Sequence, residues 1–301
     1  MRVFDGHCDT AFELWRRNEA LANNTCHIDL GKITQFEAYA QVFAFCSMAG
    51  TSLATRQLLK EPLEVLRQNV QKFDQHIAFA ETAIQISSLH EKKKAAALLS
   101  LEGAELIDCS IERLPALRAD GFRICTLTWN ADNMLAGCHL GNEGLSAKGA
   151  DFVRMAQKLG IYIDVSHLGE RAFWNLAEIT QKPILASHSN CRSLCNHSRN
   201  LTDDQLSLIA QTGGTVGLNL YVPFLGENAD FSTLRRHLEH MLRLCGEDHV
   251  ALGGDLDGCD VLPKGFIHVG NYVDFYDYLS SCGYGAALLD KIFYQNLLEL
   301  F

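Results

Sequence analysis

The sequence predicts a closed (β/α)8 barrel, and three observations predict it. Short apolar runs rich in β-branched and aromatic residues recur along the 301 residues, and segments of helical spacing follow them. Near-continuous apolar strands alternating with helices mean a parallel sheet covered on both faces. About eight such units in a chain of this length is the arithmetic of a TIM barrel. No Pro/Gly-rich linker or low-complexity stretch interrupts the series, so residues 1–301 read as one domain.

In order, the strands fall at 3–5, 40–46, 96–101, 124–128, 161–165, 184–187, 215–220 and 250–253. A helix is predicted over 53–73, with apolar residues at 58, 59, 63, 66, 70 and 73, and others over 146–159, 170–179 and 203–211. Thr202 followed by Asp203 and Asp204 has the form of a helix start, and Gly160 that of a helix stop before a strand. The run Glu91-Lys92-Lys93-Lys94 reads as a solvated helix end.

Composition narrows the function classes. With 48% hydrophobic and 21% charged residues, the chain reads as soluble and globular. Lys+Arg 26 against Asp+Glu 36 gives a net charge of −10, which argues against a nucleic-acid or anionic-membrane partner. There is no apolar run of the roughly 18 residues that a membrane span needs. The opening MRVFDGHCDT carries acids and no apolar stretch, so no signal peptide and a cytoplasmic location are expected. Eleven cysteines are scattered without a CxxC; they are expected to be reduced and mostly buried, Cys46 and Cys125 in plainly apolar surroundings.

The informative pattern is where His and acidic residues fall. His7 and Asp9 follow the first strand, Glu102 the third, His167 the fifth, His188 the sixth and Asp255 the eighth. Every strand of such a barrel points its C-terminal end at one face, so residues distant in sequence should converge on one rim. Singly, each has an ordinary explanation: His167 and His188 as satisfied core histidines, Glu102 as a partner of Arg123, Asp255 as a turn or cap residue. Jointly they match the ligand types that suit zinc and related divalent ions. Six ligands exceed one catalytic zinc and suit two metals with a bridging carboxylate, which favours hydrolysis.

These residues lie within a longer ordered set: DGHCDT (5–10), SLEGAE (100–105), TLTWNADN (126–133), GLSAKG (144–149), IDVSH (163–167), SHSNCRSLCNHSRNLTDD (187–204), GLNLY (217–221), GGDLDG (253–258) and QNLLELF (295–301). Over essentially its whole length the chain resembles the membrane dipeptidase (renal dipeptidase) family, binuclear zinc peptidases built on TIM barrels. The resemblance implies that His7 and Asp9 hold one metal and His167 and His188 the second, with Glu102 bridging. It implies a hydroxide between the metals as nucleophile, with Asp255 beside it shuttling its proton to the leaving amine. Arg199 matches the arginine that grips the substrate's C-terminal carboxylate, a role suited to a planar guanidinium. Tyr221 matches a tyrosine at the end of the seventh strand, in contact with substrate or in ordinary packing. The expected substrates are small dipeptides, L-Xaa-D-Xaa among them, and a homodimer is implied.

One position departs from the family's better-known members, which carry a histidine after the fourth strand to polarise the carbonyl. Here it is Trp129, whose indole can donate one hydrogen bond but cannot carry charge. Either a metal polarises alone or His139, in the following loop, substitutes; the plain reading of His139 is a surface loop histidine. Asn130 and Asn133 are expected to shape this loop by side-chain-to-backbone bonds. His27, His76, His90, His197, His237, His240, His249 and His268 fall away from the predicted strand ends, with His197 set apart by its closeness to Arg199. Two other readings stay open: N-acyl-amino-acid deacylation or lactone hydrolysis on the same metals, and a metal-binding accessory protein impaired in catalysis.

Overall fold

The computed structural model describes residues 1–48 and 51–301. Eight parallel strands close the barrel: β1 (Arg2–Cys8), β2 (Ala38–Cys46), β4 (Ala95–Glu102), β5 (Phe122–Thr126), β6 (Tyr162–Asp164), β7 (Leu185–Ala186), β8 (Thr215–Leu218) and β9 (Val250–Leu252). Closure comes from β2, which pairs with β1 on one side and with β4 from Ala40↔Ala96 to Cys46↔Glu102 on the other. Each predicted strand is present. A ninth, β3 (Ile77–Phe79), was not predicted; it pairs with Ala95–Ala97 on the edge of β4 that carries β5 further along. With three residues, only Ile77 of them buried, it leaves no pattern to read.

Several strands are shorter than their apolar runs, for a local reason. Ser187 N donates to Asp164 Oδ1 at 3.0 Å, and Asn219 N to Asn190 Oδ1 at 3.1 Å, so the backbone leaves the ladder where side chains take over its partners. The ends of β7 and β8 thereby become polar platforms. Gly253 is required there, because a Cβ would lie 1.8 Å from the Ser187 carbonyl oxygen.

The helices pack outside. Those at α5 (Ala147–Lys158), α6 (Glu170–Ile179) and α7 (Asp203–Gln211) fall where predicted. Thr202 and Gln205 form a capping box on α7. The helix expected over 53–73 is corrected: a π turn at Arg56–Lys60 precedes α2 (Glu61–Lys72). Pro62 lacks the N–H that would reach back to the Leu58 carbonyl, and the backbone widens before it. The lysines at 92–94 follow α3 (Ala83–Glu91) at the surface or partly exposed.

The lower barrel interior is filled by Phe4, Ala40, Val42, Ala96, Leu98, Ile124, Leu185 and Ala251, and Tyr294, Leu297 and Leu300 from the last turns pack against it. This apolar plug leaves one open end, the C-terminal mouth. No helix among the described residues is long and apolar enough to cross a membrane.

Candidate metal centre and active site

The residues singled out by position converge on that mouth. His7 sits in the last turn of the β1 ladder, which bulges between Asp5 and Cys8, and Glu102 is the last residue of β4. His167, His188 and Asp255 follow β6, β7 and β9. Three groups form: His7, Asp9 and Glu102; Glu102, His167 and His188; and His7, His188 and Asp255, each offering ligand atoms within 4.8 Å of one another. Glu102 Oε1 lies 2.9 Å from His167 Nε2, 3.5 Å from His188 Nε2 and 3.6 Å from His7 Nε2. Arg123 is elsewhere, donating to the Gly160 carbonyl at 2.9 Å, so it is not the partner of Glu102.

The partners of each ring fix its proton. His167 Nε2 accepts from Arg199 Nη2 at 3.0 Å, so His167 Nδ1 is the N–H and donates to Asn130 Oδ1 at 2.9 Å. The Ser187 hydroxyl donates to Asp164 Oδ2, so it receives His188 Nδ1–H at 2.7 Å. Both Nε2 atoms therefore present lone pairs, 3.2 Å apart, to each other and to the Glu102 carboxylate. Without a cation these groups coexist through the Arg199 N–H on His167 and a proton on Glu102; with one, all three present donor atoms to it.

On the other side of Glu102 the backbone does the placing. Asp5, fully buried, accepts from His7 N and Gly254 N, each at 3.0 Å, and from the Tyr272 hydroxyl at 2.5 Å. Neither ring nitrogen of His7 nor Oδ1 of Asp9 has a hydrogen-bond partner among the described residues. Asp255 takes a left-handed backbone (φ 55°), and Asn219 Nδ2 holds its Oδ2 at 3.1 Å. Gly258 is confined between the two acids: a Cβ there would meet Asp9 Oδ2 at 2.3 Å and Asp255 Oδ1 at 2.4 Å.

Burial dominates the electrostatics. It pushes Glu102 up to about 8 and Asp255 up to about 6, and raises Asp9 well above the usual carboxylate range. It drives His7 down to about 3 and His167 and His188 well below the usual imidazole value, with the Arg199 charge adding to each. Neutral imidazoles, carboxylates strained by burial and orphaned ligand atoms are the donor set a divalent cation requires, so the residues fit the implied metals.

Above the cluster a cavity of about 410 Å³ opens, lined among others by Phe12, Met48, Trp129, Arg199, Tyr221 and Phe224. Arg199 is 3% exposed, its Nη1 has no partner among the described residues, and its guanidinium lies 5.2 Å from the Phe224 ring centre. Trp129 stands 6.2 Å from the His167 ring, and Tyr221 packs edge-on against Phe224 at 4.9 Å. His139 is not a surface loop histidine: it is half-buried on the cavity wall, bonded to Asn130 Oδ1 at 2.9 Å and Ser198 Oγ at 2.8 Å. Asn133 shapes its loop as expected, accepting from Leu135 N at 2.8 Å, whereas Asn130 bonds two histidine side chains instead.

His197 also lines the cavity, 4.6 Å from Phe224, with its Nδ1 accepting from Arg199 N at 3.1 Å, so its placing away from the site is corrected. Its two-residue distance from Arg199 was the available signal. Phe12, Met48 and Phe224 carried none, because an apolar residue in a cavity wall looks like any core residue. Nine of the eleven cysteines are buried, and none is paired among the described residues. Cys46 lines the cavity beside Glu102, and burial pushes its thiol far up, so it stays protonated.

A parallel barrel whose open mouth carries clustered histidines and buried carboxylates defines a metal-dependent hydrolase. More narrowly, the chain belongs to the membrane dipeptidase family, peptidase family M19, which it matches over residues 1–301. It is 33% identical over 257 residues to a Klebsiella pneumoniae protein described as an uncharacterized protein in the pqqA 5' region, covering 81% of this chain and 94% of that one. It is 30% identical over 272 residues to the uncharacterized dipeptidase C965.12 of Schizosaccharomyces pombe, covering 83% of this chain and 65% of that one. Among solved structures it is similar to a Rhodobacter sphaeroides metallopeptidase liganded with a phosphinate mimic of L-Ala-D-Ala (TM-score 0.91, 26% identity, 100% of this chain and 98% of that one). A second, dipeptidase AC, gives a TM-score of 0.90 at 27% identity, covering 100% and 97%. The chain is thus a hydrolase of peptide bonds.

Proposed function

We propose that this dipeptidase uses two zinc ions to hydrolyse small dipeptides with a free C-terminal carboxylate, L-Xaa-D-Xaa dipeptides among them. The convergence of His167 Nε2, His188 Nε2 and Glu102 Oε1 on one point, continued through Glu102 to His7 and Asp9, carries the reading. The stereochemistry is supported by the L-Ala-D-Ala mimic held by the Rhodobacter sphaeroides structure. His7, Asp9 and Glu102 would hold one ion, and Glu102, His167 and His188 the other. Bound there, the ions acidify water and polarise the scissile carbonyl.

The chain's own residues do the rest. Arg199, stacked on Phe224 and with Nη1 free among the described residues, receives the carboxylate in a bidentate clamp and sets which end of the dipeptide faces the cluster. Asp255, tied through Oδ2 to Asn219, takes the proton of the attacking water on Oδ1 and delivers it to the leaving amide nitrogen. Trp129 limits the cavity and offers one neutral donor.

The test is a panel of stereochemically varied dipeptides beside N-acetyl amino acids, with zinc and separately manganese added. Hydrolysis of dipeptides, with Arg199→Ala raising KM by about 100-fold (roughly a lost charged hydrogen-bond pair), is expected. Activity confined to the acylated set would contradict the proposal.

A further inference from the structure

Asn130 has no part in the chemistry above, yet it is the joint between the ligand cluster and the cavity wall. Its side-chain oxygen receives two imidazoles at once, His167 Nδ1 and His139 Nε2, each at 2.9 Å. The direction of the first bond follows from the far side of the ring. Because Arg199 donates to His167 Nε2, the proton is on Nδ1 and the atom it meets is an acceptor. The same oxygen then accepts His139 Nε2–H, and His139 Nδ1 is left to accept from the Ser198 hydroxyl at 2.8 Å. Both lone pairs of one amide oxygen are used, and both nitrogens of His139 are engaged.

The backbone repeats the tie. His139 N donates to the His167 carbonyl, and Gly169 N to the Gly137 carbonyl, both at 2.9 Å. His139 is therefore clamped to the residue it faces across the cavity wall.

We propose that Asn130 is a positioning residue for the metal centre. Its oxygen holds His167 in the tautomer whose Nε2 lone pair faces Glu102 and His188, and it holds His139 as a fixed wall rather than a proton donor. This rests on the reading of the cluster as a metal centre. It also disposes of His139 as a stand-in donor at position 129: its Nε2–H is already given to Asn130, and its Nδ1 is engaged by Ser198.

The experiment is zinc affinity, measured by chelator competition on the full chain, for the native protein, Asn130→Ala, Asn130→Asp and His139→Ala. Loss of the acceptor in Asn130→Ala should weaken zinc binding by about 10–100-fold, and Asn130→Asp, which keeps an acceptor oxygen, should bind within about threefold of the native protein or tighter. His139→Ala should also stay within about threefold, because the bond to His167 survives. A residue that only stabilised the fold would lower Tm without moving zinc affinity. An Asn130→Ala protein that binds zinc like the native one overturns the proposal. So does a folded Asn130→Asp protein weakened about tenfold, and that comparison stands even if the alanine variant does not fold. A native protein that takes up no zinc overturns the metal-centre reading itself, before any variant is compared.

Discussion

The two halves of the ligand cluster are built by different means. At His167 and His188 each Nδ1–H has a side-chain acceptor, Asn130 directly and Asp164 through Ser187, so tautomer and ring angle are set in advance. At His7 and Asp9 the ties run through the backbone: His7 N to Asp5 at 3.0 Å and Asp9 N to the Leu256 carbonyl at 2.9 Å, with both ring nitrogens of His7 unpartnered among the described residues. Side-chain relays orient a ligand and tune its basicity; backbone ties fix only where it stands. The first half is preorganised by side-chain relays, and in the second the His7 ring nitrogens and Asp9 Oδ1 are left without such ties among the described residues.

The largest effect should come from the group the halves share. Glu102→Gln removes the charge facing three imidazoles and should lower kcat/KM by about 10³-fold or more, with loss of zinc from both positions by elemental analysis. Full zinc retention by that variant would break the description of Glu102 as common to both halves.

Next, the relays should respond differently from the backbone ties. Asp164→Ala strands the N–H and hydroxyl of both Ser166 and Ser187, so it should cost about 3 kcal/mol of stability and weaken zinc by about 10–100-fold. Asp5→Asn should lower Tm comparably while leaving the His167/His188 zinc within about threefold. Equal zinc losses in the two variants would erase the distinction.

A smaller effect is expected from pH. In chelator-treated protein His7, driven to about 3 by burial, adds stability as pH rises to the ordinary imidazole value near 6.5 and nothing beyond it. Glu102, raised to about 8, holds its proton longer folded than unfolded and so removes stability up to that pH. Between pH 6.5 and 8 only the acids act, so Tm should fall over that window without metal, and saturating zinc should abolish the fall. A metal-free Tm that climbs there would contradict the burial-raised acids.

The smallest effect belongs to His240, whose ring already bonds Ser193 at 2.9 Å, Asp203 at 2.8 Å and Arg243 at 2.9 Å. His240→Ala should change neither zinc content nor kcat/KM by more than about twofold.

Most of the fold and the ligand cluster was legible in the sequence because both rest on periodic signals. Apolar runs locate strands, and a His or acid directly after a run such as LLSLEG or PILASH inherits the position of the strand end. β3 escaped because three residues make no pattern, and the π turn before Pro62 escaped because it alters hydrogen-bond spacing without altering the apolar face. Asn130 and His197 were visible only as neighbours of Trp129 and Arg199. His167 and Phe224, which they meet, come from other strand ends and loops, and His139 lies nine residues along the same loop from Asn130; such juxtaposition has no signature along the chain.

The proposed site is a two-metal dipeptidase centre sharing Glu102. It can be put to the test by titrating chelator-stripped native protein with zinc while following L-Ala-D-Ala hydrolysis. Activity should be absent at the start, rise with added metal and level off at two equivalents per chain. Hydrolysis that survives the chelator, or a plateau at one equivalent, would contradict it.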